Sequence, residues 1–387
     1  MDSIKILIAD SSPVYRKMFQ SAIKAVDNNV IVTCVSDGME AENNILRKNP
    51  DIVIVDAEIQ GPDLLDLLSL IMLDAPKTFV LVTARPSSTS AKVFMEALSA
   101  GASDSMTKPI YDSYSDNLET IKNRMVEIIE IQKTGNTTTN KIEDIGNNVS
   151  NIKKFQEIEP KKANMSNARE LNIENKNKTG KSSSAGIKVK KSFSTKHFRP
   201  QIILIAVSTG GPRALEKIIP ALRPDITVPI LIVQHMPPHF IETLVQRLSS
   251  KSKLKVKVAE NGEYIKGGVV YLAPGGVHMR LNADNEVYLD DSPPLNGVRP
   301  AADALFESIA EDFAGLRVLT VVLTGMGQDS LRGIKKLKDK KKCYCIAQSE
   351  KTCVVYGMPR VVIEEGLADK VLDLEEIAPE IEGFNYI

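Results

Sequence analysis

The chain has 387 residues, 43% hydrophobic and 25% charged, which is too long for one ordinary core and suits two domains. Its 49 basic and 49 acidic residues cancel, so the overall charge gives no case for binding nucleic acid or a membrane surface. No apolar run approaches the roughly 20 residues that cross a bilayer, and Cys34, Cys343, Cys345 and Cys353 lack metal or redox spacing, which points to packing roles in a reducing cytoplasm.

The start, MDSIKILIADSS, reaches Asp10 after a short apolar stretch and so suits a first strand rather than a signal peptide. Ser12 followed by Pro13 should open the first helix, the serine as a capping side chain and the proline as a pre-set first residue. Apolar strands are expected near 4–9, 31–35, 52–55, 79–83 and 105–107, alternating with helical patterns. That alternation predicts a five-stranded parallel sheet covered by helices. Asp10, Asp56, Thr83 and Lys108 all fall at carboxyl ends of these strands, where the ligand crevice of such a sheet lies. Two carboxylates beside a lysine and a hydroxyl suit capture of a phosphoryl group, with an aspartate as nucleophile and a hard cation such as Mg²⁺ on the phosphoryl oxygens.

These segments (IADSS, DIVIVDAEI, LVTARP and GASDSMTKP) resemble the receiver domain of two-component response regulators over nearly all of residues 1–128. The resemblance implies a flavodoxin-like fold and makes Asp56 the phospho-acceptor. It also gives Asp10 and Asp56 the Mg²⁺, makes Thr83 the sensor of the phosphoryl group, and sets Lys108 against it. Ser11 stands where the family usually has a second acid, and Ser105 where it usually has an aromatic residue.

From 129 to 197 the composition shifts to Asn, Lys, Ser and Thr, as in GNTTTN and NKNKTGKSSSAG. Between 131 and 200 there are 15 basic and 6 acidic residues, a net +9. A segment with so little apolar surface to offset its ordering entropy is expected to be a solvated linker, with some helix near 142–158.

From 198 to 387 the α/β alternation resumes, with further strands at 269–272 and 287–289. Three buried-strand patterns here run into reactive side chains: ILIAVSTGGP with Ser208, PILIVQHMPP with His235, and LTVVLTGMGQDS with Asp329. One crevice would then hold a serine nucleophile, a histidine to take its proton, and an aspartate to fix the histidine. Each has a plainer reading. The serine-glycine turn could bind phosphate or a nucleotide, the histidine could be a core hydrogen-bonder, and Asp329 could cap the helix beginning SLRGIKKL.

IAVSTGGP, IVQHMPPHF, YLAPGGVHM, VRPAADALFES and VLTGMGQDSLRG closely resemble the catalytic domain of chemotaxis protein-glutamate methylesterases, across almost all of residues 200–380. The receiver–linker–methylesterase order is that family's layout, with a second, doubly wound α/β domain. The resemblance implies Ser208 as nucleophile, His235 as base and Asp329 as orienting acid. It also implies an oxyanion donor at the Met326 N–H, with Thr209 and His278 in support. The expected reaction is hydrolysis of glutamate methyl esters, with deamidation of glutamines, on the cytoplasmic helices of a methyl-accepting chemoreceptor. No cofactor enters that step; Mg²⁺ belongs to the receiver, and a chemotaxis histidine kinase is the expected phosphodonor. The protein is expected to be cytoplasmic, without nucleic acid or membrane insertion. Two other readings stay open: a non-catalytic signalling scaffold that docks receptor or kinase, and a nucleotide- or phosphate-binding switch at the Ser208 loop.

Overall fold

The computed structural model describes residues 3–87, 89–135, 198–313, 315–340, 343–384 and 386. The expected linker from 136 onward, and the helix considered near 142–158, lie outside the described residues. Both α/β halves belong to one compact unit.

The first half is built from β1 (Lys5–Ala9), α1 (Pro13–Val26), β2 (Ile31–Val35), α2 (Gly38–Lys48) and β3 (Ile52–Asp56). It continues through α3 (Leu64–Asp74), β4 (Phe79–Ala84), α4 (Ser90–Ala100), β5 (Asp104–Thr107) and α5 (Tyr114–Gly135). The five strands form one parallel sheet in the order β2-β1-β3-β4-β5. β3 and β4 are buried along their whole length, as central parallel strands covered on both faces must be. The edge strand β2 is largely open, and Cys34 on it is exposed. Ser12 is the N-cap of α1 by position, but its side chain makes no capping bond; its N–H instead donates to Asp10 Oδ1 at 2.8 Å. The chain turns around the carboxylate rather than around the hydroxyl. α5 continues to Gly135, past the expected domain end at 128.

The second half contains β6 (Ile202–Val207), α6 (Gly211–Ala221), β7 (Ile230–Gln234), α7 (Pro238–Lys251), β8 (Lys255–Val258) and β9 (Val269–Leu272). A hairpin of β10 (His278–Leu281) and β11 (Val287–Asp290) follows. Then come α8 (Ala302–Asp312), β12 (Val318–Val322), α9 (Leu331–Asp339), β13 (Cys343–Gln348), α10 (Met358–Glu364), β14 (Lys370–Leu372) and α11 (Leu374–Glu382). Seven parallel strands in the order β14-β13-β12-β6-β7-β9-β8 form the sheet. Both described halves are therefore α/β, with β6 at the centre of the second sheet and all six of its residues buried.

The halves meet through α4, which packs on α6 and α7. Phe94 stacks on Phe240 with ring centroids 5.5 Å apart. Ser99 donates to Glu216 at 2.9 Å and accepts from Arg247 at 2.6 Å, while Arg247 and Lys251 also bond Glu216.

Candidate active site

β6 and β7 pair in parallel with Val207 opposite Gln234. Ser208 and His235 are thus the next residues beyond two adjacent strand ends, and the His235 N–H donates to the Val207 carbonyl at 3.3 Å. Gln234, which is buried, donates from Nε2 to the Ser208 carbonyl at 3.0 Å. On the other side, the Ser208 N–H donates to the Thr324 carbonyl at 3.0 Å, so the segment after β12 walls the serine. A Cβ on Gly325 would lie 2.8 Å from Ser208 Cβ and 2.5 Å from Met358 Sδ. Only glycine allows that approach.

Asp329, 2% exposed, bonds His235 Nε2 through Oδ2 at 2.7 Å. It does not cap α9, where Ser330 holds the N-cap position at φ 88°. Its oxygens instead turn to the start of α8: Oδ2 accepts from the Ala302 N–H at 2.5 Å and Oδ1 from the Asp303 N–H at 3.0 Å. Those N–H groups have no partner inside the helix, and its dipole favours negative charge there. Burial alone would raise the Asp329 carboxyl. The His235 bond and charge and the two N–H donors outweigh it and hold the group below the ordinary carboxylate range. Because a carboxylate can only accept, Nε2 carries the proton shared with Asp329, and Nδ1 is the histidine's free acceptor. Among the described residues nothing hydrogen-bonds the Ser208 hydroxyl.

Thr209, Met326 and His278 occupy three different settings. The Thr209 hydroxyl donates to Asp104 Oδ2 on β5 at 2.7 Å, and that carboxylate is also paired with Arg124 of α5. Met326 and Val354 pack against the apolar cluster that contains Ile121, Met125 and Ile128 of α5. The Met326 N–H has no backbone partner among the described residues. His278 is fully buried; burial lowers its affinity for a proton, Nδ1 accepts from the Ala301 N–H at 3.1 Å, and Nε2 donates to the Pro293 carbonyl at 3.2 Å. Its bond to Ala301 falls on the segment that leads into α8.

Sequence reasoning missed Gln234, Asn296, Ala302 and Asp303. Gln234 could have been seen as a polar end to a wholly apolar strand, and Asn296 as half of an Asn-Gly turn signal. Ala302 and Asp303 contribute backbone N–H groups, which no residue type advertises.

In the first half, Lys108 Nζ lies 2.7 Å from Asp10 and 2.9 Å from Asp56, all three side chains being almost fully buried. Burial pushes the Asp10 carboxyl up against the opposing pull of Lys108. Thr83 is level with Asp56 across the β3–β4 ladder, its hydroxyl donating to the Val55 carbonyl at 3.3 Å. Ser11 is exposed. Mg²⁺ takes oxygen ligands and is commonly held by one or two carboxylates with phosphate and water. Asp10 and Asp56 fit it in donor type, although no cluster of three acidic, His or Cys groups able to hold a metal occurs among the described residues. No helix among them is long and apolar enough to cross a membrane.

Residues 203–381 match the CheB methylesterase family model, and residues 6–118 match the response regulator receiver domain model. A protein-glutamate methylesterase/protein-glutamine glutaminase of Syntrophomonas wolfei is 33% identical over 384 residues, covering 97% of this chain and 98% of the relative. The chain belongs to that family. A Thermotoga maritima member is 34% identical over 381 residues, covering 97% of this chain and 96% of its own. Among solved structures, the Thermotoga maritima CheB methylesterase catalytic domain is 46% identical, covering 47% of this chain and 97% of that one at a TM-score of 0.45. The response regulator domain of the same organism's CheB is 27% identical, covering 32% and 94% at a TM-score of 0.28. Family membership and the α/β architecture agree with the reading of the sequence.

Proposed function

We propose that this protein hydrolyses γ-glutamyl methyl esters, and deamidates glutamines, on the cytoplasmic helices of chemoreceptors for chemotactic adaptation. The observation that carries the reading is the 2.7 Å His235–Asp329 pair at the strand end adjoining Ser208. Ser208 Oγ attacks the ester carbonyl as His235 Nδ1 takes its proton. Asp329 holds the ring in that tautomer and stabilises the imidazolium that forms. The oxyanion is met by the Met326 N–H. Collapse of the tetrahedral adduct breaks the bond to methoxide, which leaves as methanol with the histidine's proton. Water then adds to the acyl-serine by the same route in reverse, freeing glutamate and Ser208. No cofactor takes part in these steps.

The receiver, residues 1–128, regulates the esterase, residues 198–387, through the contacts at Thr209 and α5. Asp56 accepts a phosphoryl group from the chemotaxis histidine kinase, Lys108 and Thr83 contact it, and Asp10 and Asp56 would hold Mg²⁺, which neutralises phosphoryl oxygens when bound. Neutralising Lys108 with a new dianion on Asp56 biases the docked state toward release. The protein acts in the cytoplasm.

Methanol release from methylated receptor membranes, with and without acetyl phosphate and Mg²⁺, tests this. Release that rises with the donor supports both parts, and donor-independent release removes phosphate control. Folded protein that releases no methanol is a scaffold.

A further inference from the structure

Leu295 and Val298 pair through two backbone hydrogen bonds of 3.1 and 2.9 Å, with Asn296 at φ 52° and Gly297 at φ 78° between them. Two positive-φ central residues define the type I′ turn that Asn-Gly favours. The turn aims one amide nitrogen inward. Asn296 Nδ2 donates both hydrogens to carboxylates, at 2.9 Å to Asp303 Oδ2 and 3.0 Å to Asp329 Oδ1. The orientation of the amide follows from its partners, since two carboxylates accept and cannot donate.

The two acids it joins are among the most buried in the molecule, Asp303 at 0% and Asp329 at 2% exposed. Asp303 Oδ1 also accepts from the Gly333 N–H at 2.8 Å, and Arg332 lies 3.4 Å from Oδ2. His235 beyond β7 contacts Asp329 and Arg332 on α9 contacts Asp303, while Glu307 on α8 draws both Arg332 and Lys336 of α9. Arg332 is half exposed, so much of its field is spent on solvent. Asn296 is a neutral donor between the two, with no buried cation there among the described residues; burial, and then the charge of Asp329, still hold the Asp303 carboxyl above its ordinary range.

We propose that Asn296 is a positioning residue of the esterase site, bridging Asp303 and Asp329 so that Asp329 Oδ2 stays aimed at His235. The proposal rests on the esterase reading given above. Without the bridge the two carboxylates repel, Asp329 loses one of its two Oδ1 donors, and the negative potential at His235 rises. A deeper negative potential favours the protonated ring, so the catalytic base becomes available only at higher pH. Asn296→Asp makes this worse, because it puts a third carboxylate of nearly the same shape where a donor stood.

The test is the rate at which a fluorophosphonate labels Ser208 in the full chain, measured across pH for wild type, Asn296→Ala and Asn296→Asp, beside methanol release from methylated receptor membranes. Asn296 is on an exposed turn, and circular dichroism checks that both variants fold. The acid limb should move to higher pH in the order wild type, alanine, aspartate, with labelling at neutral pH slowed about tenfold in the alanine variant. Variants with wild-type profiles overturn the proposal, as does an aspartate variant whose profile matches alanine's. Wild-type protein that releases methanol while the variants keep its profile removes only this inference. Wild-type protein that neither labels nor releases methanol overturns the esterase reading and this one with it.

Discussion

Ser208 is held from behind by backbone, with Gly325 at a distance that leaves no room for a methyl group. Met358 Sδ could swing aside from such a methyl, but Ser208 Cβ, fixed at the end of β6, could not without moving the proposed nucleophile. Gly325→Ala should therefore lower kcat by about 100-fold, the scale of an ångström-sized misplacement. A much smaller loss in thermal stability, from a melting curve on the same sample, would separate misplacement from unfolding. Ser208→Ala should remove roughly 10⁶ in turnover. Asp329 gives a pH signature. Its proton affinity is depressed in the fold, so the stability its charge contributes is present at neutral pH and disappears as pH falls through the depressed value, below 3.8. Asp329→Asn should cost about 2 kcal/mol at pH 7. Denaturant melts repeated towards pH 3 should show that gap closing; a gap constant with pH would mean the carboxylate's charge contributes nothing.

At the scale of elements, long unbroken apolar runs were the most legible. β6, β7 and β12 are wholly buried and read directly as apolar runs. β8 (KVKV), β10 (HMRL) and β14 (KVL) are three or four residues long with polar members, too short for periodicity to separate from loop. Ser208, His235 and Asp329 stood out as candidates because strand ends are where chemistry collects in parallel sheets. The anchoring of Asp329 was not legible, because α8 holds it by N–H groups that every residue except proline carries. The contact between α4 and α7 was equally hidden, since an aromatic at a helix face reads the same whether it meets its own domain or another. Phe240→Ala tests that contact. Losing the stacked pair should weaken docking by about 1 kcal/mol, raising donor-free methanol release roughly fivefold. Unchanged basal release would mean the stack contributes nothing to restraint.

At the scale of the molecule, one carboxylate of the first half reaches the loop of the candidate serine in the second. Asp104 immediately precedes Ser105 on β5 and accepts from the hydroxyl of Thr209, the residue after Ser208. Asp104→Asn replaces a charged acceptor with a neutral amide, and basal methanol release should approach the level wild type reaches with acetyl phosphate. A variant that stays as low as wild type would place the restraint elsewhere on the interface. The Thr209–Asp104 contact also has a kinetic meaning. On the proposed function, a receiver docked beside Ser208 would contend with the substrate helix for the same surface, as a competitive inhibitor carried on the enzyme's own chain. Its strength would be set by an effective concentration, which dilution of the enzyme leaves unchanged. Releasing the receiver then lowers the amount of receptor needed for half-maximal rate and leaves the turnover of bound ester as it was. Densely arrayed receptors would outcompete the tethered domain where scattered ones would not, making the enzyme's resting output a measure of receptor crowding.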